Sequence, residues 1–254
     1  MDTLQAVIIG IIEGFTEFLP ISSTGHMIVA SSWLGVPQSD LIKAYEVIIQ
    51  FAAILAVMVA YKEKLVWRER LLWLKVFVAF LPLGIVGFIF KDTIKALFSL
   101  DVVAWMFIVG GIVFLIVESV YDKLDHTTQT LEAVSWKQAL GVGVAQILSL
   151  IPGTSRAGST IVGGLLIGMD RKVAAEFSFL LAIPVMGAVS GYDLLKHYRA
   201  FLHVDWGVYL IGFITAFVVA FITIKLFLAF LQRFTFVPFG IYRIVFGIVL
   251  LVMF

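Results

Sequence analysis

The sequence contains no cysteine and few charged residues. Without cysteine, disulfide bonds and all thiolate chemistry are excluded. Charged residues make up only 14% of the chain, compared with about 25% in an ordinary soluble domain. So few charged residues cannot form a polar surface around a protein of this length in water. The net charge of +1 says nothing about nucleic acid, and no basic cluster suggests a nucleic-acid partner.

Apolar residues dominate the 254-residue chain, which is 61% hydrophobic with a mean hydropathy of +1.07. A helix that spans a membrane needs about 20 mostly apolar residues. The sequence therefore predicts an all-α integral membrane protein, surrounded by membrane lipids. Six segments are long and apolar enough to be transmembrane helices: 41–61, 74–90, 102–121, 173–195, 206–230 and 238–254.

Two further apolar stretches, 3–34 and 137–169, are each interrupted near the middle by proline and a cluster of polar residues. The halves of each stretch are too short to cross a membrane alone. Non-helical backbone at membrane depth is tolerated only where protein or a water-filled cavity surrounds it. We therefore predict two re-entrant helix pairs, each with its polar cluster at the tip.

The two halves of the sequence resemble each other. The stretch that begins at Leu4 parallels the one that begins at Lys137, with Gln5 opposite Gln138 and Pro20 opposite Pro152. Aligning the prolines places Arg156 opposite Thr24. We predict a single membrane domain of two repeats, 1–135 and 136–254, each with one re-entrant pair and three spans. Because three is odd, the second repeat must be inverted, and the functional site is expected where the repeats meet.

Lysine and arginine predict the orientation. The loop after the first span holds the densest basic run in the chain, Lys62 to Lys75, and is expected to be cytoplasmic. Both termini are then outside, and a site reached from the first tip opens to the extracytoplasmic side. Arg243 is expected to extend its charge towards the cytoplasmic surface, as a long basic side chain near a helix end can.

Two carboxylates precede the first tip. Glu13 and Glu17 are four residues apart and therefore share one face of a helix. Two neighbouring carboxylates in a membrane are costly unless they have a cation, a proton or water. Their oxygens would suit a divalent cation, Mg²⁺ or Ca²⁺, and either residue can also act as a general base. The alternative is a pair that extends to the membrane surface.

The first tip then carries hydroxyls and a histidine, and the second tip carries an arginine. Pro20 ends the incoming helix, and the hydroxyls that follow suit the start of the outgoing one, where backbone N–H groups favour phosphate. Arginine binds phosphate oxygens with two hydrogen bonds. The alternatives are that the hydroxyls only cap the helix, that the histidine only packs, and that Arg156 pairs with Glu13 or Glu17. The candidate phosphate-binding residues are Ser22, Thr24, Gly25, Gly153, Thr154, Ser155 and Arg156; His26 and Ser23 are candidate catalytic residues.

Together the tips offer carboxylates, hydroxyls, a histidine and a guanidinium, which is an inventory suited to phosphoryl transfer. The sequence lacks the glycine-rich loop of nucleotide hydrolases and any long soluble domain. A phosphate that is part of a membrane lipid is therefore the expected substrate. Architecture alone favours a different class, a transporter or lipid flippase, since broken helices in inverted repeats are typical of transporters.

The stretches "EGFTEFLPISSTGH" (13–26) and "PGTSRAGST" (152–160) closely resemble the two signature motifs of the bacterial undecaprenyl-diphosphate phosphatase family of the bacitracin-resistance type. "AAEFSFLLAIPVM" from Ala174 and "PFGIYR" from Pro238 extend the resemblance over nearly the whole chain. The second motif of the family often contains Ser-Arg-Ser, whereas this chain has Ser-Arg-Ala, with Ala157 in place of the last serine. The resemblance implies an inner-membrane enzyme that removes the terminal phosphate of a polyprenyl diphosphate, depends on a divalent metal and forms a homodimer.

The sequence leaves two routes open for the reaction. In the first, Ser23 attacks the terminal phosphorus while Glu17 or His26 takes its proton, and Arg156 holds the diphosphate. In the second, Glu13 and Glu17 activate water directly together with the metal. In both routes positioning and electrostatics do most of the work, because the transition state of phosphoryl transfer is loose and highly charged.

Overall fold

The computed structural model describes residues 1–36, 39–196, 198–199, 202 and 204–253, and no β-strand occurs among them. Eleven α-helices account for most of these residues. In chain order they are α1 Thr3–Thr16, α2 Ser23–Trp33, α3 Asp40–Ala60, α4 Arg70–Ile89, α5 Lys91–Ala96, α6 Leu100–Tyr121, α7 Trp136–Gln146, α8 Arg156–Leu166, α9 Arg171–Lys196, α10 Trp206–Leu231 and α11 Val237–Met253.

Five of the predicted spans are helices that are long and apolar enough to cross a membrane: α3, α4, α6, α9 and α10. Their bounds agree with the predicted ones to within about four residues, as expected for helix ends. This confirms a multi-pass membrane protein. The sixth, α11, has 17 residues, so its role as a span stays a prediction. Phe254, the last residue predicted in it, lies outside the described residues.

Both interrupted stretches consist of two short helices, as predicted. α1 and α2 have 14 and 11 residues, and the chain between them carries Pro20. α7 and α8 have 11 residues each, and a short 3₁₀ helix and Pro152 lie between them. We call the segments 17–24 and 149–156 the first and second tips. Whether the two pairs enter and leave the membrane on one side stays a prediction.

The local structure of the first half recurs in the second half at a constant spacing along the chain. The Gln5 side chain donates to the carbonyl of Leu34 at 3.0 Å, and Gln138 donates to the carbonyl of Ile167 at 3.0 Å. The spacing from Gln5 to Gln138 is the same as that from Leu34 to Ile167, and we call it the repeat offset. Residues one repeat offset apart also begin α1 and α7 with the same type of capping box.

The repeat offset also holds at the tips, which corrects the repeat alignment. Ser22 and Ser155 both have positive φ, 68° and 75°, and each immediately precedes a helix. The residue equivalent to Arg156 is therefore Ser23. The prediction that Arg156 stands opposite Thr24 was wrong by one residue, because it aligned the two prolines rather than the two strained serines.

Close helix contacts surround the tips and depend on small residues. α1 packs on α10 and α7 on α4, so the first helix of each interrupted stretch packs on a span of the other half. A methyl group at Gly10 would lie 2.8 Å from the carbonyl oxygen of Gly212, and one at Gly143 would overlap with the carbonyl of Ala79. Gly10 and Gly143 are again one repeat offset apart, and they let the backbones approach closely.

Arg243 does not extend to the cytoplasmic surface, so that prediction was wrong. Its side chain is completely buried, between α6 and the two tips. Four backbone carbonyls accept hydrogen bonds from its guanidinium, and these bonds replace the hydration that the charge would have at the membrane surface.

Gly143→Ala is expected to destabilise the protein by about 1–3 kcal/mol, because the added methyl group must push α7 away from α4. The measurement is thermal unfolding of the purified protein in detergent. Gly187→Ala is the matched control, since a methyl group at Gly187 has no neighbour within 4 Å among the described residues. Equal unfolding temperatures for the two variants would contradict the prediction.

Candidate active site

The two tips meet around one polar cavity of about 300 Å³. The first tip contributes Glu17, Ser22, Ser23 and Thr24 to its wall, and the second contributes Ser155 and Arg156 among others. Gln50 of α3 and Met186 of α9 complete it on further sides. We call this cavity the chamber. The prediction that the two tips share one cavity is therefore met by the geometry.

Glu17 connects the two tips and holds the candidate nucleophile. Its Oε1 accepts a hydrogen bond from Arg156 Nη2 at 2.9 Å, and its Oε2 accepts one from Ser23 Oγ at 2.5 Å. The side chains of Arg156 and Glu17 are only 11% and 10% exposed. The acidic partner of Arg156 among the described residues is thus Glu17, which was one of the alternatives left open by the sequence.

The guanidinium of Arg156 is fixed but not saturated. Nη1 donates to the carbonyl of Ser178 at 3.0 Å, and the hydroxyl of Ser178 is in turn 2.6 Å from that of Thr160. The Nε atom is buried and has no hydrogen-bond partner in the described part of the chain. Arg156 as a residue lines the chamber, so its positive charge favours an anionic ligand there.

Both outgoing helices begin at the chamber wall. Ser22 and Ser155 precede α2 and α8 in a positive-φ conformation that non-glycine residues rarely adopt. The hydroxyl of Ser155 accepts a hydrogen bond from the backbone N–H of Gly158 at 3.1 Å, whereas that of Ser22 makes no capping bond to its helix. The positive ends of two helix dipoles therefore face the same small cavity, which favours an anion there.

Glu13 does not line the chamber. It lines a second cavity of about 520 Å³ that shares Ser23 and Gln50 with the chamber and also contains Glu46. Glu13 is 1% exposed, and its Oε1 has no hydrogen-bond partner among the residues that the structure describes.

This free oxygen decides how well the residues fit a divalent cation. Glu13 can offer Oε1, while both oxygens of Glu17 are already engaged. No cluster of three or more histidine or acidic side chains suited to a metal occurs in the described part of the chain. The fit therefore rests on two carboxylates with hydroxyls beside them, and substrate oxygens would have to supply further ligands, as is usual for Mg²⁺.

His26 points away from the chamber. Its Nδ1 is 2.8 Å from the carbonyl oxygen of Ser22, and its Nε2 is 2.5 Å from the hydroxyl of Tyr242. A carbonyl can only accept, so Nδ1 carries a proton. The ring stacks on Phe246 and borders an apolar cavity of about 500 Å³ between α1, α2 and α11. Among the described residues it has no hydrogen bond to Ser23 or to either carboxylate, and its acid–base role stays a prediction.

Two other predicted binding residues also lie outside the chamber wall. A methyl group at Gly25 would overlap with the ring of Phe107, so Gly25 serves the contact between α2 and α6. The buried hydroxyl of Thr154 has no partner within the described ranges and faces an apolar cavity beside α6. Gly153 does line the chamber, and its φ of 89° explains why glycine is used there.

Four features of the site were not predicted from the sequence: Gln50, Ser178, Tyr242 and the buried position of Arg243. Tyr242 and Arg243 end the stretch "PFGIYR", which the sequence offered only as part of a family resemblance. Gln50 and Ser178 are single polar residues inside apolar spans. Nothing but their polarity at membrane depth distinguishes them, and that is the signal that could have found them.

The spans make this an integral membrane protein. Its chamber holds a hydroxyl next to a carboxylate, an arginine and two helix N-termini, which is the equipment of a protein that acts on an anionic group of a lipid. Comparison with known proteins places the chain within this class. Residues 6–249 match the family of the bacitracin resistance protein BacA, and the chain belongs to that family.

Similar proteins cover the chain from end to end. It is 71% identical to the undecaprenyl-diphosphatase of Sulfurovum sp. (strain NBC37-1), with 99% of each chain aligned. It is 62% identical to the undecaprenyl-diphosphatase of Sulfurimonas denitrificans over the full length of both. Undecaprenyl-diphosphatase 2 of Pseudoalteromonas translucida is 58% identical over 99% of this chain and 98% of its own.

Glu17→Gln is expected to destabilise the protein by about 3 kcal/mol, because it leaves the Arg156 charge buried without its partner. The double variant Glu17→Gln/Arg156→Gln should recover part of that loss. Thermal unfolding in detergent measures both. Asp40→Asn is the control, because Asp40 and Lys43 form an exposed pair at 3.8 Å that contributes little. Additive losses in the double variant would show that the pair is not coupled.

Proposed function

We infer that the protein hydrolyses undecaprenyl diphosphate to undecaprenyl phosphate and inorganic phosphate, and so recycles the lipid carrier of cell-wall synthesis. The family and the names of its relatives support this inference. The observation that carries the chemistry is the hydrogen bond of 2.5 Å from Ser23 Oγ to Glu17, beside Arg156. A hydroxyl next to a base is the arrangement of an activated nucleophile.

In the proposed reaction Ser23 Oγ attacks the terminal phosphorus while Glu17 Oε2 takes its proton. The bond from that phosphorus to the bridging oxygen breaks, and undecaprenyl phosphate leaves with the proton from Glu17. Water then attacks the phosphorus of the phosphoserine while Glu17 takes its proton. The bond from phosphorus to Ser23 Oγ breaks, Glu17 returns the proton to Oγ, and inorganic phosphate is released. Arg156, held on Ser178 through Nη1, lines the chamber and places its positive charge beside the phosphate oxygens, which carry the charge of the transition state.

Glu13 has a separate part in this proposal. A divalent cation, Mg²⁺ or Ca²⁺, would be held by Glu13 and Glu17, and it would neutralise charge on the diphosphate. Direct attack by water remains the second route. It uses the same carboxylates but needs no bond to Ser23.

We further propose the membrane arrangement predicted from the sequence. The recurrence of hydrogen bonds and helix contacts at the repeat offset supports two equivalent halves. With α11 counted as a sixth span and α1–α2 and α7–α8 as re-entrant pairs, each half crosses the membrane three times and the halves are inverted. The chamber would open to the outer side of the inner membrane, and the protein would act as a homodimer.

Ser23→Ala is expected to lower kcat more than about 1,000-fold, as removal of a nucleophile does in other hydrolases. The assay is phosphate release from undecaprenyl diphosphate by purified protein in detergent, where no gradient exists that a transporter could use. A phosphoserine trapped at residue 23 of the wild type would identify the first route. Ser119→Ala is the control, because Ser119 is exposed on α6. Normal turnover by Ser23→Ala would leave only the direct attack of water.

Removal of divalent cations with a chelator is expected to stop phosphate release, and Mg²⁺ or Ca²⁺ should restore it. Glu13→Gln should raise the cation concentration needed for half-maximal rate at least about tenfold, since a carboxylate ligand is lost. Glu46→Gln is the matched variant from the same cavity. Full activity in the presence of chelator would argue against a metal.

A further inference from the structure

Arg243 is a completely buried charge that the proposed reaction does not use. Its Nη2 donates to the carbonyls of Met106 at 2.8 Å and Gly153 at 3.0 Å, and its Nη1 donates to the carbonyl of Pro20 at 3.1 Å. A longer contact of 3.4 Å joins Nε to the carbonyl of Phe107. No acidic side chain forms an ion pair with it among the described residues.

Two of these carbonyls are equivalent positions of the two tips. Pro20 and Gly153 are one repeat offset apart, so they are related in the same way as Gln5 and Gln138. The guanidinium therefore reaches one tip with Nη1 and the same point of the other tip with Nη2. A side chain in this position sits where the two halves meet.

Only one half can supply this side chain. The residue one repeat offset before Arg243 is Gly110, and a methyl group there would overlap with the Arg243 guanidinium. The space between the halves holds one arginine, and glycine at the equivalent position leaves room for it. An arginine at position 110 as well as at 243 would have placed two guanidinium charges in the same volume.

The two carbonyls also lie close to the chemistry. Each is two residues before a positive-φ serine, Ser22 or Ser155, and that serine is followed by the first residue of an outgoing helix. These first residues are Ser23 and Arg156, which Glu17 joins across the chamber. A shift of either carbonyl would move one end of this hydrogen-bonded chain against the other.

We propose that Arg243 is a positioning residue. Its hydrogen bonds to one carbonyl of each tip, which we call the clasp, keep Ser23, Glu17 and Arg156 in reactive geometry. The proposal rests on the inferred phosphatase activity. It requires the planar guanidinium, whose separate donors reach carbonyls on two sides, whereas the compact ammonium of lysine cannot span them. Arg243 is not among the described residues that line the chamber, so it acts on the rate without binding the substrate.

The test compares Arg243→Lys with the wild type in phosphate release from undecaprenyl diphosphate. We expect kcat to fall about 100-fold, as a misplacement of about 1 Å can cause, with KM little changed. Arg171→Lys is the matched control, because Arg171 at the start of α9 pairs with Glu118 at 2.6 Å, away from the tips. If kcat of Arg243→Lys equals that of Arg171→Lys, the proposal is overturned.

Gly110→Ala gives a second variant that keeps the charge and displaces the clasp. It should lower kcat as Arg243→Lys does, whereas Gly191→Ala, whose methyl group has no neighbour within 4 Å among the described residues, should not. An unchanged kcat in Gly110→Ala would also overturn the proposal.

A distance measurement that does not depend on activity tests the clasp separately from the proposed phosphatase function. The natural chain has no cysteine, so spin labels at Phe15→Cys and Leu148→Cys report the distance between the ends of the two incoming segments. Both side chains are about half exposed, and they occupy equivalent positions of the two halves. The distance distribution should broaden in Arg243→Lys. A wild type that releases no phosphate would defeat the proposed function alone, and an unchanged distribution would defeat the clasp alone.

Discussion

The ion pair between Glu17 and Arg156 is the interaction on which the chamber depends. Each charge would be costly alone at this depth, and together they join the first tip to the second. Glu17 also accepts the hydrogen bond of Ser23, so in the proposed reaction the residue that joins the tips is also the base for the hydroxyl. One oxygen of Glu17 accepts from Arg156 and the other accepts from Ser23.

Local structure recurs at the repeat offset, and several residues in and around the tips depart from that recurrence. Equivalent glycines, caps and strained serines build the same backbone twice. At the repeat offset, Ser23 is replaced by Arg156, which gives a hydroxyl on one side of the chamber and a cation on the other. Glu13 is replaced by the buried Gln146, and Gly110 by Arg243. Each exchange changes the charge at one of two matching positions.

Helix α2 separates two different environments. Its first residues face the polar chamber, whereas His26, one turn further on, is held by Tyr242 and stacks on Phe246 next to an apolar cavity. Aromatic contacts of this type add stability beyond the area they bury. The helix that presents Ser23 is thereby anchored on its far side, and Arg243 fixes the backbone that leads into it.

The sequence alone determined the membrane class, five spans, both helix breaks and the inventory of the tips. These follow from local composition, since apolar length and proline act on neighbouring residues. It also predicted correctly that the tips share a cavity. Only the tertiary structure decided that Arg156 pairs with Glu17, that His26 turns to Tyr242, and that Arg243 is buried. Those contacts join residues from opposite halves of the chain, and nothing local to either partner specifies the other.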